Sequence, residues 1–392
     1  MKYVSNTMKF VSRRLGVAAI LTVPSLCAAV VHADDLSSGK QPDRYAVSNL
    51  VSDINGLATT TDAVLQNAWG VAFSPAASPF WVADNATGCA TLYDGAGAKV
   101  VALQVKIPLP GGAIPASACK HVNPASPPNP SPAAPTGMVW NASSAFQVPG
   151  TSPPVTASFI FATEDGTISA WANNGLTPSD AAVIAVDNSA SGAVYKALVF
   201  GTNPKGVFLF ATNFRAGTIE VFDHNYASVT TDGNFKDPAI PSGFAPFGLQ
   251  NINGDLFVTY AKQNAQKHDD VAGRGNGFVD VFDTDGHLLR RLVAQGQLNS
   301  PWGVARASYA FGRFSGDVLI GNFGDGKINA FDSNGNFRDT LKGPDSKPIV
   351  IDGLWTLTLG GGKNSSSDTL YFTAGPNGET DGLFGTITPV SK

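Results

Sequence analysis

One stretch of the chain, Leu298–Leu341, reads as a complete four-strand unit, and similar units recur on both sides of it. An aromatic-glycine pair, Trp302-Gly303, opens a short apolar strand, and Asp317–Ile320 follows as a second apolar strand. Lys327–Phe331 then alternates polar and apolar residues, which is the pattern of a half-buried strand. An Asn-Gly turn leads into a fourth strand, because both residues accept positive φ at little cost. Four antiparallel strands within about fifty residues are typical of a propeller blade.

The same unit can be followed along the chain six times. Its first strand begins with a polar or aromatic residue before Gly at Trp69, Thr136, Phe247 and Trp302, and more loosely at Trp355. Its third strand carries an aromatic residue in every copy, namely Tyr93, Trp171, Phe222, Phe282, Phe331 and Phe384. Six copies of about fifty residues predict an all-β fold, the six-bladed β-propeller.

The two ends of the repeat region are expected to share one blade. Tyr45–Val51 alternates like a strand but precedes the first repeat, while the last repeat, which contains Phe384, has only three strands of its own. We therefore expect the N-terminal strand to supply the missing fourth strand and to close the ring without a free sheet edge. Val194–Leu198 is expected to be the inner strand of the third blade, although it lacks the usual Gly.

The first 33 residues have the three parts of a secretory signal peptide. Residues 1–14 carry four basic side chains and no acidic one, residues 15–31 are apolar and uncharged, and Ala33 ends a small-residue cleavage site. This arrangement predicts export to the periplasm or the extracellular medium. A membrane anchor is the alternative, which the short apolar run disfavours. The expected organisation is a signal peptide at 1–33, a flexible segment at 34–43, and one propeller domain at 44–392 with insertions at 109–135 and 263–276.

The charge balance excludes some classes of partner. Without the signal peptide, Lys plus Arg falls from 26 to 22 while Asp plus Glu stays at 30, so the net charge changes from −4 to −8. A chain this acidic, with its charges scattered, offers no basic groove for nucleic acid. No second long apolar run exists, so we expect no membrane insertion of the mature chain.

The cysteines predict one disulfide bond. Cys27 is removed with the signal peptide, which leaves Cys89 and Cys119 as a pair in an exported protein. Two free thiols are the alternative. The bond would join the first blade to the proline-rich insertion at 109–135, and it would stabilise the fold by roughly 3 kcal/mol in the chain-entropy model.

The motifs also carry a family resemblance. The repeated pattern PWGVA…VLIGNFGDGKINAFDSNG resembles the six-bladed NHL-type β-propellers. The run NAWGVAFSPAASPFWVADNATG, with GFVDVFDTDG and SPWGVA downstream, resembles a family of exported bacterial propellers of unassigned function. The resemblance covers Tyr45 to about Val390 and implies the fold and export. It implies little chemistry, since related propellers include lactonases, lyases, isomerase-like enzymes and binding scaffolds.

In a propeller of this type, the loops into each inner strand and between the second and third strands lie on one face around the central channel. We call it the loop face, and we expect ligands to bind there. Residues on these loops offer oxygen ligands for a divalent cation such as Ca²⁺, namely Asp84, Asn85, Glu164, Asn213, Asn322 and Asp325. The alternative is that they cap turns by accepting nearby backbone N–H groups. Calcium-dependent lactonase-like propellers also use an inner-strand Glu, where this chain has Trp69.

The insertion at 263–276 contains the most singular polar sequence, His268-Asp269-Asp270. One interpretation makes His268 a catalytic base or a metal ligand that a carboxylate orients. The other makes this segment a solvated lid or a disordered polar loop. Adjacent residues rarely face each other, so the orienting acid is expected to come from another blade.

Aromatic and basic side chains on the same loops are candidates for ligand binding. Trp69, Trp302 and Trp355 occupy equivalent repeat positions and could ring the mouth of the channel, with Arg215 and Arg274 beside them. Packing between blades is the alternative for the three Trp residues.

We therefore expect an exported, monomeric binding or scaffold protein that presents its loop face to a small molecule, a glycan or a protein. The absence of a G-x-S-x-G or H-E-x-x-H motif from the sequence favours this function. The alternative is a metal-assisted hydrolase or lyase in the same channel, with a divalent cation such as Ca²⁺ and His268 as the base. Whether the chain is an enzyme is left open by the sequence.

Overall fold

A computed structural model describes residues 41–75, 78–173 and 180–390. The predicted signal peptide and most of the predicted flexible segment lie outside the described residues. In chain order the strands are β1 (Arg44–Ser52), β2 (Thr60–Thr61), β3 (Ala68–Ala72), β4 (Phe80–Asp84), β5 (Cys89–Tyr93), β6 (Val105–Lys106), β7 (Pro135–Trp140), β8 (Phe159–Thr163), β9 (Thr167–Trp171), β10 (Val183–Asp187), β11 (Tyr195–Asn203), β12 (Gly206–Asn213), β13 (Thr218–Phe222), β14 (Ser228–Val229), β15 (Phe244–Ile252), β16 (Asp255–Lys262), β17 (Phe278–Phe282), β18 (Leu288–Ala294), β19 (Pro301–Arg306), β20 (Val318–Asn322), β21 (Ile328–Phe331), β22 (Phe337–Thr340), β23 (Leu354–Leu359), β24 (Leu370–Ala374) and β25 (Leu383–Val390).

These strands form six sheets, which are the six predicted blades. Blades 1 to 5 are four-stranded antiparallel meanders made of consecutive strands, namely β3–β6, β7–β10, β11–β14, β15–β18 and β19–β22. The short helical turns are Asn85–Thr87, Pro110–Gly112, Ser189–Ser191, Gly312–Phe314 and Pro376–Glu379. The prediction of an all-β six-bladed propeller is confirmed.

The sixth blade joins the two ends of the chain. Its sheet runs β23-β24-β25-β1-β2, and β1 pairs antiparallel with β25 from Arg44 opposite Val390 to Ser52 opposite Leu383. The predicted closure of the ring by the N-terminal strand is therefore confirmed. The two-residue strand β2, which the sequence did not indicate, adds a short parallel edge beyond β1.

The aromatic-glycine motif of the inner strands has a steric cause. A Cβ atom at Gly70 would overlap the carbonyl oxygen of Thr136 in blade 2, and one at Gly248 would overlap that of Trp302 in blade 5. Neighbouring inner strands therefore approach so closely around the axis that glycine is needed at these positions. Large apolar side chains between blades form the rest of the core, as with Phe311, Leu354 and Phe372 between blades 5 and 6.

The predicted disulfide is present. Cys89 in β5 and Cys119 in the first insertion are bonded, with a Cα–Cα distance of 5.0 Å and a sequence separation of 30 residues. The bond fixes the proline-rich insertion to blade 1. Among the described residues, no helix is long and apolar enough to cross a membrane.

Candidate functional site

The strand pairings align one residue from each inner strand at the same level around the axis. Each directly follows the last residue that pairs with the second strand before a bulge. The six residues of this inner ring are Trp69, Thr136, Lys196, Phe247, Trp302 and Trp355. Lys196 is the one charged member, and it stands where three other blades have Trp.

Aromatic rings fill the centre of the inner ring. Trp69 stacks on Trp355 at a centroid distance of 3.6 Å, and Phe323 stacks on Trp355 at 4.0 Å. Trp302 meets both indoles edge-on. The three Trp residues proposed as ligand contacts are thus packed against one another and buried. The inner strands also line a cavity of about 60 Å³, and Trp302 is one of its lining residues.

Lys196 is a buried cation in this aromatic setting. Only 2% of the residue is exposed, and its ammonium lies 5.2 Å from the ring centroid of Trp69 and 5.8 Å from that of Phe214. It donates a hydrogen bond to Oε1 of Glu164, and Oδ1 of Asp269 lies 3.6 Å from Nζ. Burial alone would lower the pKa of Lys196, but the charges of Glu164 and Asp269 outweigh it and raise the pKa above its ordinary value. Lys196 therefore stays protonated.

A chain of hydrogen bonds leads from this ion pair across the loop face. Nδ2 of Asn85 donates to Oε2 of Glu164 at 3.0 Å, and Oδ1 of Asn85 accepts from Nδ2 of Asn67 at 3.2 Å. The same Asn67 nitrogen donates to Oε2 of Glu379 at 2.9 Å, while its Oδ1 accepts from Nε1 of Trp355 at 2.9 Å. The network thus connects blades 2, 1 and 6, and it links the carboxylates to the aromatic centre.

Glu379 lies on an unusual turn between β24 and β25. Asn377, Gly378 and Glu379 all have left-handed backbone conformations, with φ between 57° and 69°. Such conformations are strained for non-glycine residues and cluster at functional sites. Burial, and next the charge of Glu164, raise the pKa of Glu379 from 4.5 to about 7. This carboxyl group therefore exchanges its proton near neutral pH.

The second insertion reaches the same centre from blade 4. Nδ1 of His268 lies 2.7 Å from Oδ1 of Asp269, and this contact raises the pKa of His268 above its usual range. Asn264 holds the turn, because its Oδ1 accepts from the backbone N–H of His268 and its N–H donates to the carbonyl of Asp269. Asp270 is half-buried, and burial raises the pKa of its carboxyl. His268 is thus oriented by its own neighbour, contrary to the expectation of an acid from another blade.

One trio of side chains could hold a metal ion. Donor atoms of Glu164, His268 and Asp269 all lie within 4.8 Å of one another. Of these three, the sequence nominated Glu164 as a cation ligand and His268 as a base or a ligand. Two of the three, Glu164 and Asp269, also lie next to the ammonium group of Lys196.

The six predicted oxygen ligands are distributed over several blades. Asn85 and Glu164 share a hydrogen bond at the centre of the loop face, as described above. Asn322 donates to Oδ1 of Asp325, which in turn accepts from the backbone N–H of Lys327. No hydrogen bond or ion pair joins this second pair to the first within the described parts of the chain.

Two further predicted ligands belong to individual blades. Asn213 accepts from the N–H of Ala216 and donates to Glu220 within blade 3. Asp84 is fully buried in blade 1, where burial raises its pKa well above the usual range. Asn213 and Asp325 thus make the turn-capping contacts that were the alternative interpretation, whereas Oδ1 of Asn322 has no hydrogen-bond partner among the described residues.

The two predicted ligand-binding arginines are exposed. Arg215 follows β12, and Arg274 lies in the second insertion. Neither forms an ion pair with the part of the chain that the structure describes.

Two central residues were missed by the sequence analysis. Lys196 could have been found, because aligning Val194–Leu198 with the other inner strands places Lys196 at the repeat position that Trp69 and Trp302 occupy in their blades. Glu379 gave no comparable signal. Its turn belongs to no repeated motif, and its partner Asn67 is 312 residues away in sequence.

The fold and this loop face define a six-bladed β-propeller with a buried lysine–carboxylate centre. No family model matches the chain. It is 30% identical over 352 residues to uncharacterized protein L690 of Acanthamoeba polyphaga mimivirus, which covers 88% of this chain and 85% of that protein. Uncharacterized protein R648 of the same virus is 29% identical over 349 residues, covering 88% and 80%. The chain belongs to the family of these mimivirus proteins.

Solved structures with a similar architecture are more distant. Virginiamycin B lyase from Staphylococcus aureus has a TM-score of 0.42 and 12% identity, covering 88% of this chain and 99% of that chain. The Pan2 WD40 domain of Neurospora crassa has a TM-score of 0.46 and 10% identity, covering 90% and 98%. No conclusion about activity follows from similarities of this size.

Proposed function

We propose that this chain is an exported binding protein whose loop face binds a small, oxygen-rich ligand, such as a sugar acid or the end of a glycan, around Lys196. The observation that carries the proposal is the incomplete coordination of the Lys196 ammonium. An ammonium group has three N–H donors. Among the described residues, only Glu164 lies within hydrogen-bond distance, and Asp269 is next at 3.6 Å.

The surrounding groups complement such a ligand. The carboxylates of Glu379 and Asp270 can accept hydrogen bonds from ligand hydroxyls. Ligand oxygens can accept hydrogen bonds from the N–H groups of Lys196 that have no partner among the described residues. The side chain of Asp269 is 61% exposed, so the part of the insertion that covers Lys196 borders solvent. A small displacement of this segment would admit a ligand oxygen.

The test is a thermal-shift screen of the purified chain against gluconate, glucuronate, galacturonate, free hexoses and short oligosaccharides. We expect at least one compound to raise Tm in the wild type and to lose that effect in Lys196→Met. Lys205→Met is the matched control, because Lys205 is exposed and its ammonium group pairs with exposed Asp232. A panel with no effect, or a Tm shift that survives in Lys196→Met, would count against the proposal.

Export and the closer family resemblance are parts of the same proposal. The bonded pair Cys89–Cys119 supports export, because disulfides persist in oxidising compartments. The aromatic-glycine inner strands support an NHL-type propeller. Expression of the full sequence in a bacterial host should give a processed protein that begins at Asp34 in the periplasm or the medium. An unprocessed protein in the cytoplasm would contradict export.

A metal-assisted hydrolase or lyase is the second candidate. It is favoured by the convergence of Glu164, His268 and Asp269. Elemental analysis of the purified chain, with thermal melts in the presence and absence of EDTA, tests it directly. One divalent ion per chain and a Tm lowered by EDTA would support the enzyme and justify screening esters, lactones and lyase substrates.

A further inference from the structure

The trio Glu164, His268 and Asp269 offers one imidazole nitrogen and two carboxylates within 4.8 Å. Three protein ligands of this mixed type suit Zn²⁺, Co²⁺ and similar divalent ions, with remaining positions open to solvent or ligand. If only the spacing of these three donor atoms mattered, the trio would be able to hold a divalent ion at the loop face.

Lys196 already places a positive charge among these donors. Its Nζ donates to Oε1 of Glu164 and lies 3.6 Å from Oδ1 of Asp269, so it touches two of the three candidate ligands. Because its ammonium group lies against both carboxylates, it competes with any ion that approaches them.

The ammonium group also has little freedom to move away. The lysine side chain is 2% exposed and runs between the rings of Trp69 and Phe214. Its own carbonyl oxygen accepts a hydrogen bond from Nε1 of Trp302 at 3.2 Å, which fixes the backbone beneath it. A divalent ion bound by the trio would therefore lie beside a fixed like charge in a region of reduced dielectric constant.

We infer that Lys196 is a built-in cation that takes the place of a divalent metal ion at the centre of the loop face, and that its removal converts Glu164, His268 and Asp269 into a divalent-metal site. In the wild type the ammonium neutralises the carboxylates and is available to ligand oxygens. This inference does not depend on the identity of the ligand, so it can stand or fall separately from the proposed binding function. It excludes the metal-assisted enzyme, which needs the same trio to hold an ion in the wild type.

Cobalt titration of the untagged chain tests the inference, because Co²⁺ reports both affinity and ligand geometry through its visible absorption. We expect Lys196→Met to bind one Co²⁺ per chain, about 100-fold or more tightly than the wild type, since a neighbouring like charge is removed. Adding His268→Ala to Lys196→Met should abolish the absorption band. Lys205→Met should behave as the wild type.

Two results would overturn the inference. One is wild-type binding of Co²⁺ at the same site as tightly as in Lys196→Met. The other is a folded Lys196→Met chain that binds no Co²⁺, or whose Co²⁺ binding is unchanged by His268→Ala. Lys196→Gln, which keeps a hydrogen-bond donor for Glu164 and lacks the charge, serves as the second variant if Lys196→Met does not fold.

Discussion

Two basic residues of this propeller, the half-buried Arg291 and the buried Lys196, are neutralised in different ways. In blade 4, Nε of Arg291 in β18 donates to Asp280 at 2.9 Å, and its guanidinium also binds Asp237. The guanidinium lies 5.0 Å from the ring centroid of Phe278. At the loop face, Lys196 has one close carboxylate, a second at 3.6 Å, and further acids nearby.

This difference in how the two cations are paired distinguishes an ion network that supports the fold, around Arg291, from a candidate binding site, around Lys196. The Arg291 network brings one planar cation onto two carboxylates, and Asp280 is fully buried. The Lys196 network leaves donors incompletely matched, and it continues through side chains to the surface of the loop face. Oδ2 of Asp280 also lacks a hydrogen-bond partner among the described residues, but it is buried within blade 4. A ligand can complete an incompletely satisfied group only where it can reach that group, as it can at the loop face. The Arg291 network therefore supports the fold, and the Lys196 network is the part suited to binding.

The largest effect on stability should come from Arg291→Met. This variant leaves the carboxylate of Asp280 buried without its cation, so we expect the free energy of unfolding at pH 7.5 to fall by about 3 kcal/mol. Urea unfolding followed by tryptophan fluorescence measures the change. Burial already raises the pKa of Asp280 to about 6, so the loss should be smaller at pH 5, where this carboxyl is protonated. An equal loss at both pH values would contradict this explanation.

A smaller effect of opposite sign is expected for Glu379→Gln. The folded-state pKa of Glu379 is raised to about 7, so the folded chain holds this proton more tightly than the unfolded chain does. The wild type therefore loses stability as pH rises from about 4.5 to 7 and has lost it fully above pH 7. Glu379→Gln should remove that slope and raise the free energy of unfolding at pH 8 by about 1 kcal/mol.

Urea unfolding of Glu379→Gln and the wild type across pH 4.5–8 measures this prediction. Tryptophan fluorescence of the folded wild type should also change with a midpoint near pH 7, because Asn67 connects Glu379 to Trp355. Parallel stability profiles for the two proteins would show that Glu379 does not titrate in this range.

The smallest effect is expected for Lys205→Met, which breaks an exposed ion pair with Asp232. Because both partners are solvated, the free energy of unfolding should change by no more than about 0.5 kcal/mol. The same urea titration checks this value. A larger loss would mean that ion pairs in this fold cannot be ranked by burial.

The sequence contained enough to predict the propeller and to nominate Asn85, Glu164 and His268, but it did not indicate Lys196 or Glu379, or the contacts that join these residues. Each blade repeats the same local pattern, and the unpaired strand around Tyr45 had one evident place in the ring. The Lys196 network depends on contacts between residues that no local pattern links. Glu164 and Lys196 come from neighbouring blades. Asn67 and Glu379 meet only because the ring closes. His268 belongs to the second insertion, in blade 4.

The central claim is that the Lys196 network forms a binding site and the Arg291 network supports the fold. Urea unfolding at pH 7.5 tests it most directly, by comparing the loss in the free energy of unfolding of Lys196→Met with that of Arg291→Met. Glu164 keeps its hydrogen bond from Asn85 and retains 12% side-chain exposure, so it can be hydrated when Lys196 is replaced. We predict a loss of about 1 kcal/mol for Lys196→Met, less than half of that for Arg291→Met. A loss at Lys196 equal to or greater than that at Arg291 would show that the loop-face ion pair holds the propeller together, and it would contradict the assignment of Lys196 to a binding site.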